Sequence, residues 1–290
     1  MNKLKIADVI STFTNPPIIT IPLFLLICIV LSFENGIFNL SKFITLELIS
    51  LVFASILPMA IIIFWAKRLN TDKDISNRQD RFTPLIVGIV SYFIGVLVSL
   101  ILHADMFLTI LLLCYSINTG VVLLITTKWK ISVHTTGLSG PVGALILLLG
   151  PNGALFAVLY PILIWSRVTL EKHSMAQAVA GGVQGFFLTV LEFYLFAILF
   201  GYSLANITPL TDCILYILAI IATPVVLGIL AYRFKSRKAF YLIEAILFIL
   251  FLVFTPFSVF IVFIVISLTS IVISIYAGPE FCWFNLVKSS

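Results

Sequence analysis

Charge is what this chain has least of. Asp, Glu, Lys and Arg supply 10% of its 290 residues, against 61% hydrophobic residues and a mean hydropathy of +1.21. A soluble globular domain carries about 25% charged residues, so that class is excluded. Cysteine is also sparse: Cys28, Cys114, Cys213 and Cys282 stand singly in or near apolar segments, without the paired spacing of a disulfide framework, a metal site or a redox motif. The charged start, Met1 to Asp8, lacks a cleavage-site pattern, so no signal peptide is expected. Only three histidines are present, and two of them, His134 and His173, fall in one stretch from Lys130 to Gln177.

What the chain does have is apolar runs along its whole length, and backbone satisfaction in lipid makes such runs helices. Runs bounded by charge, Gly or Pro predict about ten transmembrane helices in an all-α polytopic bundle, at 16–33, 43–66, 83–103, 105–127, 132–150, 152–167, 174–200, 211–232, 239–254 and 257–276. No room is left for a soluble domain, so 1–290 is read as one integral membrane domain. The pairs 83–127, 132–167 and 239–276 turn over so tightly that they read as antiparallel hairpins, with Asp105 and Gly150-Pro151-Asn152-Gly153 at two tips. Alternating sides then puts every Lys and Arg except Lys42 on one side together with both termini. Removing the candidate ligands Arg78, Arg81, Lys130 and Arg167 from the count leaves the bias intact. The positive-inside rule makes that side cytoplasmic, with the plasma membrane of a prokaryote as the expected location. The net charge of +5 therefore reflects topology, and no nucleic-acid partner is expected.

Three polar stretches emerge on that same side. Asn70 to Arg81 holds three aspartates with Lys73, Arg78 and Arg81; the arginine forks match phosphate oxygens, the aspartates could hold a magnesium diphosphate, and the whole could be a solvated loop. Lys128 to Gly137 places His134 at the start of a span, where an imidazole can exchange protons near neutrality, with Lys130 and Ser132 able to hold phosphate oxygens. An interfacial belt of Trp and Lys with an incidental histidine is the plainer reading. Trp165 to Gln177 puts Gln177 one helical turn beyond His173, so its amide oxygen could accept from the imidazole and orient the other ring nitrogen for attack on phosphorus. Arg167 would neutralise the phosphoryl oxygens. A basic loop with a chance histidine is again the alternative. Glu192 and Glu244 fall within spans, where a carboxylate is a functional candidate or a helix-to-helix hydrogen bond. His103 reads as a hairpin-tip residue.

These residues resemble the signatures of the type 2 phosphatidic acid phosphatase superfamily. Ser166-Arg167-x5-His173 looks like its third signature, Ser-Arg-x5-His-x3-Asp, and Ser132-Val133-His134 like the end of its second, Pro-Ser-Gly-His. The resemblance implies that His173 is the phosphorylated nucleophile, that His134 is the acid for the leaving group, and that Ser132 and Arg167 bind phosphate. It implies a phosphatase core of about six helices at 43–200, with 211–276 as additional C-terminal helices. Lys73 with Arg78 and Arg81 stands near the first signature, through an Asp-Ile-x-x-Arg-x-x-Arg variant. Two features depart from the pattern: Gln177 replaces the orienting aspartate, and Ile131 and Val133 replace Pro and Gly.

The expected activity is hydrolysis of a lipid or polyprenyl (isoprenoid) phosphate or diphosphate, with the bilayer as partner and no metal or other cofactor. The same histidines could serve a lipid phosphotransferase that uses an alcohol in place of water. A UbiA-type prenyltransferase is suggested by Asn70 to Arg81, but such enzymes need a second acidic cluster, and Arg233 to Lys238 has no carboxylate. A non-catalytic lipid-binding or transport protein is the reading that Gln177 motivates.

Overall fold

The computed structural model describes residues 2–69, 77–221 and 257–277. Helix α1 (Lys3–Phe13) starts on Asn2, whose side chain accepts from the Leu4 amide. After Thr14 and Asn15 the Pro16-Pro17 pair opens α2 (Pro16–Leu31), bent by 58° from α1; proline lacks only amides that a helix start leaves unbonded. A short hairpin follows, β1 (Phe33–Glu34) with β2 (Ile37–Phe38), closed by Asn35 and Gly36 at positive φ. Helices α3 (Leu40–Ser50) and α4 (Leu57–Leu69) run on through a π-helical turn. A 3-10 turn at Gln79–Arg81 leads into α5 (Phe82–Ile101), and Asp105 caps α6 (Met106–Thr126) by accepting from the Phe107 amide at 2.9 Å. Next come α7 (Val133–Leu149), the short α8 (Pro151–Ala154), a 3-10 turn, α9 (Leu159–Thr169) and α10 (Met175–Leu199). Beyond them lie α11 (Leu210–Ile221) and α12 (Phe257–Ala277).

Helix α7 is the centre of the bundle. Every residue from Leu138 to Leu147 is buried, as expected of a helix that is apolar all round and enclosed by protein. Its neighbours α2 and α10 approach closely because small residues meet at the contact. A Cβ on Gly181 would lie 2.3 Å from Thr135 Oγ1 and 2.5 Å from the Ser132 carbonyl, and one on Gly137 would lie 2.6 Å from Pro16 Cβ. By contrast α5 exposes Ile86, Val90, Phe93, Leu97 and Ile101 along one helical face, the pattern of a lipid-facing surface.

The expectation of about ten transmembrane helices is corrected here. Among the described residues four helices are long and apolar enough to cross a membrane: 40–69, 79–101, 106–126 and 175–199, or five if the bent α1–α2 pair is one span. The excess has a physical cause: a run of apolar residues reads the same whether lipid or protein surrounds it. The 132–150 run is the 17-residue buried α7, and 152–167 is broken into α8, a 3-10 turn and α9. The second half of 211–232 and all of 239–254, like Lys73 and Glu244, lie outside the described residues. The chain is a helical protein with several membrane-length apolar helices, an architecture suited to a lipid bilayer.

The two ends of the bundle differ. At one end the β-hairpin meets the α5–α6 tip, where His103 has φ 51° and Lys42 is ion-paired to Asp105 at 2.8 Å and to Glu34 at 3.2 Å. At the other end α5, α7 and α10 start and α6 and α9 finish, so the loops carrying Arg81, Lys130 and His173 lie together.

Candidate functional site

Local backbone motifs produce the spacing between Arg167 and His173. Helix α9 ends in a Schellman turn: the Lys172 amide donates to the Arg167 carbonyl at 3.1 Å and the Glu171 amide to the Val168 carbonyl at 3.0 Å. That turn needs a left-handed residue, and Glu171 supplies it at φ 54° in place of the usual glycine. Two residues on, α10 begins with a capping box, in which the Gln177 amide donates to Ser174 Oγ and the Ser174 amide donates to Gln177 Oε1 at 3.2 Å. His173 is held between the two motifs. The close passage of Gly181 against α7 then fixes this segment beside the start of α7, where the Ser132 amide donates to the Gln177 carbonyl at 3.2 Å.

The ring of His173 is buried, with 5% of its surface exposed. Its Nδ1 lies 3.2 Å from the Lys130 carbonyl and 3.3 Å from Gln177 Oε1. Both are acceptors, and the Ser174 amide fixes which end of the Gln177 amide faces the ring. The proton therefore sits on Nδ1. Nε2, with its lone pair, is buried and without a hydrogen-bond partner among the described residues. Burial, and after it the charges of Arg81, Arg167 and Lys130, pull the His173 pKa from its ordinary 6.5 down to about 2, with the Gln177 contact opposing weakly. The imidazole is neutral, in a pocket of positive potential.

Arg167 is fully buried, and its Nη1 donates to Ser11 Oγ of α1 and reaches His134 Nε2 at 3.5 Å. Ser166 donates to the Ala7 carbonyl at 2.7 Å, so α1 is tied to the last turn of α9 by both residues. His134 is buried in the first turn of α7, and Ser132 caps that helix by accepting from the Thr135 amide at 3.4 Å. Arg81 is 5% exposed with its Nη1 3.5 Å from the Ile131 carbonyl. The structure thus joins His173, Gln177, Lys130, Ser132, His134, Arg167 and Arg81 in one site. It does not draw in Arg78, which is half-buried one turn before Arg81, with no hydrogen bond to the histidines among the described residues.

A cleft of about 120 Å³ opens beside His134 and Arg81 and runs between α2, α4, α5, α6 and α7. Pro16, Pro17, Pro58, Ile62, Leu85 and Val122 give it apolar walls. Sequence reasoning did not reach Ser11, Asn15 or the cleft. The spacing of Ala7 and Ser11, one turn apart on α1, is the signal that could have found the first. Glu192 receives a hydrogen bond from Asn118 Nδ2 at 3.3 Å, the helix-to-helix bond that its position allowed. Among the described residues no three of His, Cys, Asp and Glu gather as metal ligands would. Comparison with known protein families, with curated proteins and with solved structures finds nothing that matches this chain.

Proposed function

We propose that this chain is a membrane-embedded phosphatase that removes phosphate from a lipid or polyprenyl phosphate or diphosphate through a phosphohistidine on His173. One observation carries the reading: a buried, neutral imidazole whose Nδ1 proton is held by two acceptors, and whose Nε2 stands unbonded beside three cations. That is the state an imidazole nucleophile needs, with an adjacent group to orient it and positive charge to receive a phosphoryl group.

In this scheme the headgroup enters between Arg81, Lys130 and Arg167 while the tail occupies the apolar cleft. His173 Nε2 forms a bond to phosphorus, and the bond from phosphorus to the leaving oxygen breaks. Arg167 exchanges its contact with His134 for a phosphoryl oxygen, which frees His134 Nε2 to take up a proton from solvent and pass it to the departing oxygen. His134 then takes a proton from water as that water attacks phosphorus and the bond from phosphorus to His173 Nε2 breaks, releasing inorganic phosphate and the free imidazole. Gln177 holds the ring without adding charge, so the imidazolium formed on phosphorylation is stabilised less than a carboxylate would stabilise it. We place the site at the cytoplasmic face, supported by the charge at the bundle ends: the described Lys and Arg outside the site lie toward the His173 end, except Lys42.

The test is phosphate release by wild type and by His173→Ala and His173→Asn variants over a panel of lipid and polyprenyl phosphates and diphosphates. Loss of the nucleophile is expected to cost at least about a thousandfold in kcat. Release within a few-fold of wild type by either variant would overturn the reading.

A further inference from the structure

The cleft carries further polar side chains besides His134 and Arg81. Asn118, Thr119 and Thr136 line it, and all three are engaged within the bundle. Asn118 Nδ2 donates to Thr189 Oγ1, Thr119 donates to the Tyr115 carbonyl, and Thr136 donates to the Gly181 carbonyl. Tyr115 is different. It lines the same cleft and is 7% exposed, yet its hydroxyl is buried and has no hydrogen-bond partner among the described residues. A buried phenol without a partner is costly, and tyrosine is placed in an apolar wall where its hydroxyl can reach one. The ring is held from two sides, edge-on to Phe24 and to Tyr92, so the hydroxyl has a fixed position.

Its depth can be read from α7. The Cζ atom of Tyr115, which bears the hydroxyl, is 3.6 Å from where a Gly140 Cβ would stand, and Gly140 also lines the cleft. Gly140 is six residues beyond His134, about 9 Å along the helix. A hydrocarbon tail has nothing to offer a donor at that depth. A tail joined through an acyl ester to glycerol does: its carbonyl oxygen lies six or seven bonds from phosphorus, roughly 7–9 Å when extended at ordinary bond lengths.

We propose that Tyr115 is a specificity-determining residue whose hydroxyl donates a hydrogen bond to an ester carbonyl of the substrate's tail linkage. This assignment rests on the phosphatase reading and narrows its substrate to lipid phosphates with an acceptor oxygen at that depth. Asn15, at the α1–α2 bend, is a second cleft-lining group whose side-chain oxygen is buried without a partner among the described residues, which fits a cleft built to receive polar atoms.

The test compares wild type with Tyr115→Phe on a diacylglycerol phosphate, the dialkyl ether phosphate of the same chain length, and a polyprenyl monophosphate. The variant keeps the ring and its packing. Wild type is expected to favour the diacyl over the dialkyl substrate by about tenfold in kcat/KM, the worth of one neutral hydrogen bond. Tyr115→Phe should lose that preference through the diacyl substrate alone, with the polyprenyl substrate unaffected. An unchanged diacyl-to-dialkyl ratio, or an equal loss on all three substrates, would overturn the proposal. If wild type releases phosphate from none of them, the phosphatase reading is what fails. The role of Tyr115 is then read from thermal protection by the same lipids: greater protection of wild type than of the variant by the diacyl lipid supports it, and equal protection overturns it.

Discussion

His173 gives the site its pH behaviour. Its pKa is lowered to about 2 in the folded protein and lies near 6.5 when the chain is unfolded, so below pH 6.5 the unfolded chain takes up a proton that the folded one refuses. Stability then falls as the pH drops, by up to about 1.4 kcal/mol per pH unit. Thermal unfolding of wild type should therefore lose more between pH 7 and pH 5 than that of His173→Asn; equal losses would refute the shift. For activity His173 differs from an ordinary histidine base, whose titration gives an acid limb near its usual 6.5. The nucleophile stays neutral, so kcat/KM should show no His173 limb between pH 5 and 8. Gln177→Glu tests the orienting contact: it keeps a carbonyl-type oxygen for the Ser174 amide and sets a negative charge on Nδ1–H, strengthening the one contact that opposes the shift. The His173 pKa should rise, bringing an acid limb into the measured range, and a profile identical to wild type would show that Gln177 does not govern the ring.

At the scale of elements, two turns and one helix contact build the site. Glu171 occupies a left-handed position that glycine fills without strain, and its side chain is exposed. Glu171→Gly is expected to stabilise the protein by about 0.5–1 kcal/mol, measured as a higher unfolding temperature with activity unchanged. Gly181→Ala should do the reverse, because its Cβ meets Thr135 Oγ1 and the Ser132 carbonyl inside contact distance. A loss of about 1–3 kcal/mol and a fall in activity are expected as α10 moves away from α7. The sequence made the outcome of these motifs readable and concealed their cause. His173 and Gln177 could be placed on one face from helical spacing, since Gln177 follows His173 by one turn, and Arg167 was joined to them by its charge and by the Ser-Arg-x5-His resemblance. The capping box and the Schellman turn were not anticipated, because Glu171 stands where a glycine would have announced the turn. Helical spacing could set Ser11 on one face of α1 with Ala7, but its bond to Arg167 joins residues 156 positions apart, and that partner no spacing reports.

For the whole molecule, hydropathy identified a helical membrane protein but overcounted its spans. Apolar content marks what avoids water, and α7 avoids water inside protein as thoroughly as α5 does in lipid. Of the stretches 70–81, 130–137 and 166–177 expected to converge, 70–76 lie outside the described residues, and the loops around the described parts meet at one end of the bundle despite that miscount. The topology predicts that a single cysteine replacing Lys128 is labelled by an impermeant thiol reagent only from the cytoplasmic side, and one replacing Lys42 only from the other; labelling of both from one side would contradict it.

The central claim is that His173 Nε2 becomes covalently bonded to phosphorus, and the most direct measurement is to trap that bond. The protein is mixed with a lipid phosphate labelled in the phosphoryl group, quenched in alkali within the first turnovers, and digested for peptide mapping. The account predicts base-stable, acid-labile label on the peptide containing His173 and none in His173→Ala. Label on any other residue, or steady phosphate release from His173→Ala, would contradict it.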